Sequence, residues 1–196
     1  MIFNDINYNK STGIRYIYDA AGVKIAKEIY ENGGTSRTNY FGNFVYEDTE
    51  LKYILTDYGK IDVKTSVSYG GGEFPEIIVT RDYTRYYNIT DHLGNVRVTF
   101  DETGEIMQED SYYPFGMTMN GLNYTSGNKS YEKNKYLYNG KELQEDFGLD
   151  WYDYGARFYD AQLGRFTGVD ALADTFVWVT PYNYAENSPI ANIDLW

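Results

Sequence analysis

The chain has 196 residues, enough for one domain of ordinary size and marginal for two. It has no cysteine, which excludes disulfides, thiolate metal sites and a cysteine nucleophile, and its one histidine, His92, excludes a multi-histidine metal site. With 17 basic against 29 acidic residues the net charge is −12, which argues against a nucleic-acid partner because phosphate binding needs clustered Lys and Arg. No apolar run approaches the roughly 18 residues of a membrane-spanning segment, and residues 1–20 carry no signal-peptide pattern. Core-forming capacity rests on 23 Tyr, 10 Phe and 3 Trp. Tyrosine buries a ring but requires a partner for its hydroxyl, so the composition points to thin, half-wet sheets.

In chain order, β-branched and aromatic residues mark strands at Arg15 to Tyr18, Phe44 to Tyr46, Leu51 to Tyr53, Ile77 to Val79, Asn95 to Phe100 and Tyr152 to Tyr159. The best helix candidate, Lys141 to Phe147, is short and stops at Gly148. Between strands a turn recurs: Tyr18-Asp19-Ala20-Ala21-Gly22, Asp91-His92-Leu93-Gly94 and Phe100-Asp101-Glu102-Thr103-Gly104, with Tyr159-Asp160 to Gly164 one residue longer. An Asp at the first position accepts from backbone N–H groups ahead of it, and Gly at the fourth takes the left-handed conformation that closes a bulged hairpin. The looser stretches Ser66 to Phe74 and Thr118 to Lys135 read as long loops leaving the sheet.

Four stretches carry a resemblance: Asp91-His92-Leu93-Gly94-Asn95-Val96-Arg97, Tyr112-Tyr113-Pro114-Phe115-Gly116, Tyr138-Asn139-Gly140-Lys141-Glu142-Leu143, and Gly155-Ala156-Arg157-Phe158-Tyr159-Asp160 running into Leu163-Gly164-Arg165-Phe166. In this order the chain resembles the core domain of bacterial RHS (YD-repeat) proteins, a component of polymorphic toxins. Val169-Asp170-Ala171-Leu172, Pro181-Tyr182-Asn183-Tyr184 and Asn187-Ser188-Pro189-Ile190 resemble the closing segment of that core. The resemblance implies an all-β fold, a chain of antiparallel hairpins forming part of a spiralling β-sheet shell. Residues 1–84 would be degenerate YD-repeat hairpins and residues 85–196 the RHS repeat-associated core domain. It further implies, as partners, the rest of the shell and a C-terminal toxin cargo, with secretion machinery or an immunity protein for the cargo as a further one. The expected location is secreted or cell-surface, with the export signal outside this chain.

The resemblance also implies self-cleavage by aspartyl chemistry after the core. By position in the motif the two carboxylates are Asp170 and Asp194, and Arg157 is the third partner, holding a carboxylate charged or steadying the developing oxyanion. Both Asp residues are equally readable as turn caps. The family usually places Pro after each, whereas Ala171 and Leu195 follow here. The pattern continues past Trp196 to the scissile bond, so the chain as given is expected to be proteolytically silent. His92 is read as structural, Arg165 as the partner of a nearby carboxylate, and Gly70-Gly71-Gly72 as no phosphate loop, since no Lys-Ser/Thr follows. No metal or other cofactor is expected. Trp151, Tyr152, Tyr154 and Tyr159 read as core or, alternatively, as a sugar platform. That gives a second functional reading, an extracellular glycan-binding β module without catalytic activity. Exposed sheet edges and an uncovered aromatic face are expected to make the isolated chain associate.

Overall fold

A computed structural model describes residues 3–9, 12–71 and 76–194. The chain divides into two compact units, Met1–Tyr87 and Asn88–Trp196. In the first, strands β1 (Phe3–Asn9), β2 (Thr12–Tyr18), β3 (Lys24–Glu31), β4 (Gly34–Phe41), β5 (Phe44–Glu47), β6 (Glu50–Thr56), β7 (Gly59–Tyr69) and β8 (Ile77–Thr90) each pair antiparallel with the next in sequence. The last residues of β8 belong to the second unit.

Strand periodicity sorts the side chains of this meander. Tyr40 lies opposite Val45, Val45 opposite Tyr53 and Tyr53 opposite Asp62, a row of buried residues crossing four strands. Lysine stems complete the face: Lys24 Nζ stands 4.4 Å from the Tyr40 ring centre. Buried Lys60 stands 5.5 Å from the rings of both Tyr53 and Tyr86, and its Nζ meets Asp62 Oδ1 at 2.9 Å. Ser66 to Tyr69, expected in a loop, instead extend β7, which pairs with β8 as far as Tyr69 opposite Ile77. The outer part of that arm exposes Val67, Tyr69, Ile77, Ile78, Val79 and Tyr83. The Gly70-Gly71-Gly72 run and Phe74 fall partly outside the described residues.

The second unit holds β9 (Val96–Asp101), β10 (Ile106–Glu109) and β11 (Tyr124–Thr125), paired in that order. A four-stranded antiparallel sheet follows: β12 (Glu142–Gln144), β13 (Trp151–Asp153), β14 (Phe158–Asp160) and β15 (Arg165–Phe166). Three sequence expectations are corrected here. Lys141 to Phe147 forms no α-helix, only a strand that runs into a 3-10 turn at Asp146–Gly148. Glu142, Leu143 and Gln144 are all buried as a strand against β13, because cross-strand pairing outweighs the helix propensity of Lys, Glu, Leu and Gln. Tyr152 to Tyr159 is a hairpin rather than one strand, turned at Gly155, with Asp153 opposite Phe158. Thr118 to Lys135 is partly built into the unit, since Tyr124–Thr125 add to β10 and Tyr131 and Asn134 are buried.

The recurring turns fold as their chemistry dictates. Asp19 Oδ1 accepts from the amides of Ala21 and Val23, each at 2.9 Å; Asp91 Oδ1 from Leu93 and Asn95 at 3.0 and 3.1 Å; and Asp101 Oδ1 from Thr103 and Glu105 at 2.8 and 3.0 Å. Gly22, Gly94 and Gly104 take φ of 81°, 77° and 86° and donate back to the carbonyl of the same Asp. Asp160 Oδ1 likewise accepts from Gln162 and Leu163.

Candidate functional site

Tyrosine makes the core of the second unit. Tyr112, Tyr138, Tyr152, Tyr154, Tyr159 and Tyr184 cluster with Phe166, Leu137 and Leu143, and the Tyr159 and Tyr184 rings lie 4.1 Å apart. Every one of these six hydroxyls donates to a protein oxygen. Tyr112 reaches the Val96 carbonyl at 2.7 Å, Tyr138 that of Pro114 at 3.0 Å, Tyr159 that of Phe115 at 2.7 Å and Tyr152 that of Gly116 at 3.3 Å. Tyr154 and Tyr184 both donate to Asn139 Oδ1. Burial raises the pKa of all six, that of Tyr184 to about 12, so they remain neutral donors at any physiological pH. Tyr152, Tyr154 and Tyr159 are therefore core, and no sugar platform forms from them.

Asn139 joins the sequence motifs to one another. Its amide N–H donates to Asn95 Oδ1 at 2.8 Å, and its Nδ2 donates to the Leu93 carbonyl at 2.9 Å and to Asn95 Oδ1 at 3.1 Å. Asn95 Nδ2 in turn donates to Asp91 Oδ2 at 2.9 Å. The Asp91–Asn95 turn, the Tyr138-Asn139-Gly140 turn and the two phenols thus form one continuous hydrogen-bond network. His92 Nε2 lies 2.9 Å from the Ile190 carbonyl oxygen, so this turn also fastens the C-terminal segment. Sequence reasoning singled out these motifs without finding Asn139's part, because its partners lie 44 and 45 residues away.

The same unit brings together the three residues drawn from the motif pattern. Arg157 closes the β13–β14 hairpin, its carbonyl accepting from the Tyr154 amide at 3.1 Å. Its guanidinium lies 3.7 Å above the Phe166 ring centre. From there Nη1 meets Asp170 Oδ2 at 2.9 Å and Nη2 meets Asp194 Oδ1 at 3.6 Å. The Arg157 side chain is 7 % exposed, those of Asp170 and Asp194 28 % and 22 %. Asp170 is also a turn cap: Oδ1 accepts from the Leu172 amide at 2.7 Å, leaving Oδ2 for the arginine. Its own amide donates to the Pro181 carbonyl at 2.9 Å, and Phe166 N donates to Tyr182 O at 3.1 Å, which aligns segment 166–170 with 181–182.

A cavity of about 590 Å³ adjoins both carboxylates, with Leu172, Phe176, Val179 and Ile193 in its wall. Two acids on one buried guanidinium beside an apolar cavity can polarise a water and a carbonyl held there. Arg165, by contrast, is exposed and no carboxylate pairs with it among the described residues. The acid opposite it across the ladder, Asp160, instead accepts from Trp151 Nε1 at 3.2 Å and from the Gln162 and Leu163 amides. Leu195, where the family has Pro, lies outside the described residues.

Residues 4–190 match the Teneurin YD-shell family. The chain belongs to that family. Among curated proteins this YD-shell segment is 28 % identical over 193 residues to Salivary gland surface protein 1 of Aedes aegypti, covering 95 % of this chain and 5 % of that protein. It is 27 % identical over 189 residues to Toxin subunit YenC1 of Yersinia entomophaga, covering 89 % of this chain and 18 % of that protein. The YD-shell segment thus spans less than a fifth of the length of either relative. The crystal structure of TcdB2-TccC3-TEV has the same fold, with a TM-score of 0.68 and 21 % identity over 99 % of this chain and 9 % of that one. The all-β fold is that of an RHS/YD-repeat shell, built of antiparallel hairpins. No helix among the described residues is long and apolar enough to cross a membrane.

Proposed function

We propose that this YD-shell segment forms part of the wall of a hollow shell that encloses a C-terminal effector, and that it cuts its own chain downstream to free that cargo. The observation that carries the reading is the single buried guanidinium of Arg157 held between Asp170 and Asp194. In the reaction, one aspartate takes a proton from a water as it attacks the scissile carbonyl. The other gives a proton to the departing amine, and Arg157 balances the negative charge that develops. Hydrolysis adds the water across the peptide bond, leaving a carboxylate and a free amine. The apolar cavity beside the pair suits the side chains flanking the cleaved bond. The relatives support the larger setting: one is named as a toxin subunit and one as a surface protein, in keeping with a secreted or cell-surface location.

The test is the parent protein carrying this chain together with whatever follows it in the same reading frame. Asp170→Asn and Asp194→Asn are each expected to abolish the cut, and Arg157→Lys, which keeps charge but loses the fork, to slow it at least tenfold. If both Asn variants fold and are still fully cut, the assignment of the pair is wrong. Encapsulation is read separately, as resistance of the downstream segment to added protease in the uncut variants. Digestion at the rate of the free segment would refute a closed shell.

A further inference from the structure

A second cavity in the Asn88–Trp196 unit, about 580 Å³, shares no wall residue with the one beside Asp170. On its wall lies Asp110, only 5 % exposed. Its Oδ2 accepts from Gln108 Nε2 at 2.8 Å. Gln108 is fully buried and fixed on every side. Its Oε1 accepts from the Tyr131 hydroxyl at 2.8 Å and the Asn134 amide at 2.9 Å, and its Nε2 also donates to the Asn134 carbonyl at 3.2 Å. The Asp110 carboxylate is therefore held in one orientation, and no ion pair reaches it among the described residues. The cations nearest by charge are otherwise engaged: Lys133 Nζ meets Glu145 at 2.6 Å, and the Arg97 guanidinium lies 5.4 Å from the Tyr112 ring centre.

A buried carboxylate without a counter-ion is a costly arrangement unless something supplies the charge. The walls show what fits. Asp150, Lys133 and Glu145 bring a further net negative charge to the cavity, and Met117, Leu143 and Tyr152 offer apolar surface. One Asp110 oxygen is taken by Gln108, which disfavours the two-pronged grip of a guanidinium and suits the point charge of an ammonium. We propose that this cavity binds an alkylammonium group, such as a lysine side chain, with its ammonium on the Asp110 carboxylate and its methylene stem along Met117 and Tyr152. The proposal stands apart from the shell and self-cleavage reading, since it uses none of the same residues.

Protonation of Asp110 competes with this ligand. Burial, first, pushes the carboxyl up to about 6; the Gln108 bond and the charges of Lys133 and Arg97 act in the opposite direction, and Glu145 adds to the rise. Tyr112 and Tyr152 face the same region as neutral phenols. The test titrates the full chain with Nα-acetyl-lysine methylamide while backbone amide shifts are followed by NMR. Parallel arms use Nε-acetylated lysine, which has lost the charge, and a free diamine, which separates a small amine from a peptide side chain as the source.

Saturable binding is expected near pH 7.5. Near pH 5, where about a tenth of Asp110 is ionised, it is expected to be about tenfold weaker. Asp110→Asn keeps the Gln108 bond and is expected to lose binding; Asp150→Asn, conservative at a residue of positive φ, to weaken it severalfold. The proposal is overturned if wild-type chain shows no saturable response, if affinity is equal at the two pH values, or if the Nε-acetylated ligand binds as well. The pH series on wild-type chain and the Asp150→Asn variant decide the matter should Asp110→Asn fail to fold.

Discussion

Replacing Asn139 by alanine removes the acceptor of two buried phenols and both amide donors to the Asp91–Asn95 turn. Tyr154 and Tyr184 lie 3.2 Å apart, so after the loss one hydroxyl can donate to the other while one stays without an acceptor. That orphan costs about 2 kcal/mol, and the two lost Nδ2 bonds, in a half-buried setting, together about 1 kcal/mol. Asn139 has φ of 48°, a conformation that costs alanine about 1 kcal/mol more than glycine. The expected loss is thus about 4 kcal/mol for Asn139→Ala and about 3 kcal/mol for Asn139→Gly. Urea unfolding followed by tryptophan emission measures it, because Trp151, Trp178 and Trp196 all lie in the Asn88–Trp196 unit and report on it whether or not the two units unfold together. A loss below about 1 kcal/mol for the alanine variant, or an alanine variant more stable than the glycine one, would refute the network as described.

Three further outcomes are expected. A Cβ at Gly116, φ 88°, would sit 2.5 Å from the Tyr138 ring, whereas one at Gly121, φ 89°, meets nothing within 4 Å. Gly116→Ala is expected to cost about 3 kcal/mol and Gly121→Ala about 1, and equal melting points for the two would exclude the packing argument. Lys60→Met removes the buried ammonium that meets Asp62 Oδ1 at 2.9 Å and is expected to cost about 4 kcal/mol. Adding Asp62→Leu is expected to restore most of that, checked by a double-mutant cycle. For Asp110, the rise from 3.8 to about 6 means that between those pH values the folded chain keeps a proton the unfolded chain has released. Stability therefore falls by about 3 kcal/mol as pH rises through this window, and Asp110→Asn is expected to flatten that part of the profile. A profile unchanged by the substitution would place the titration elsewhere.

The hairpin turns were legible because their chemistry is local: an Asp and a Gly three residues apart determine the turn wherever the chain runs. The same locality explains the errors. Lys141 to Phe147 has the residues of a helix, and only the pairing of Glu142 with Asp153 makes a strand of it. Tyr152 to Tyr159 looks uniformly strand-like, and the single Gly155, φ 90°, turns it back on itself. Arg157, Asp170 and Asp194 are separated by 13 and 24 residues, so no spacing rule could bring them together; the motif pattern named them, and the chain's return past β15 places two acids on one guanidinium. Asp110 carried no signal at all. Its carboxylate is held by Gln108, two residues earlier, and Gln108 is fixed only once Tyr131 and Asn134 arrive from later in the chain.

In the first unit every strand pairs with its neighbours in sequence. No pairing there waits for a distant part of the chain, so contact order is low and the unit can assemble one hairpin at a time as the polypeptide leaves the ribosome. The reverse holds under load. A pull applied at one end removes the outermost strand first and presents an equivalent edge to be removed next, so the unit yields by sequential peeling rather than by one shearing event. Such a sheet can be taken apart as a succession of small steps, and rebuilt in the order in which its hairpins become available.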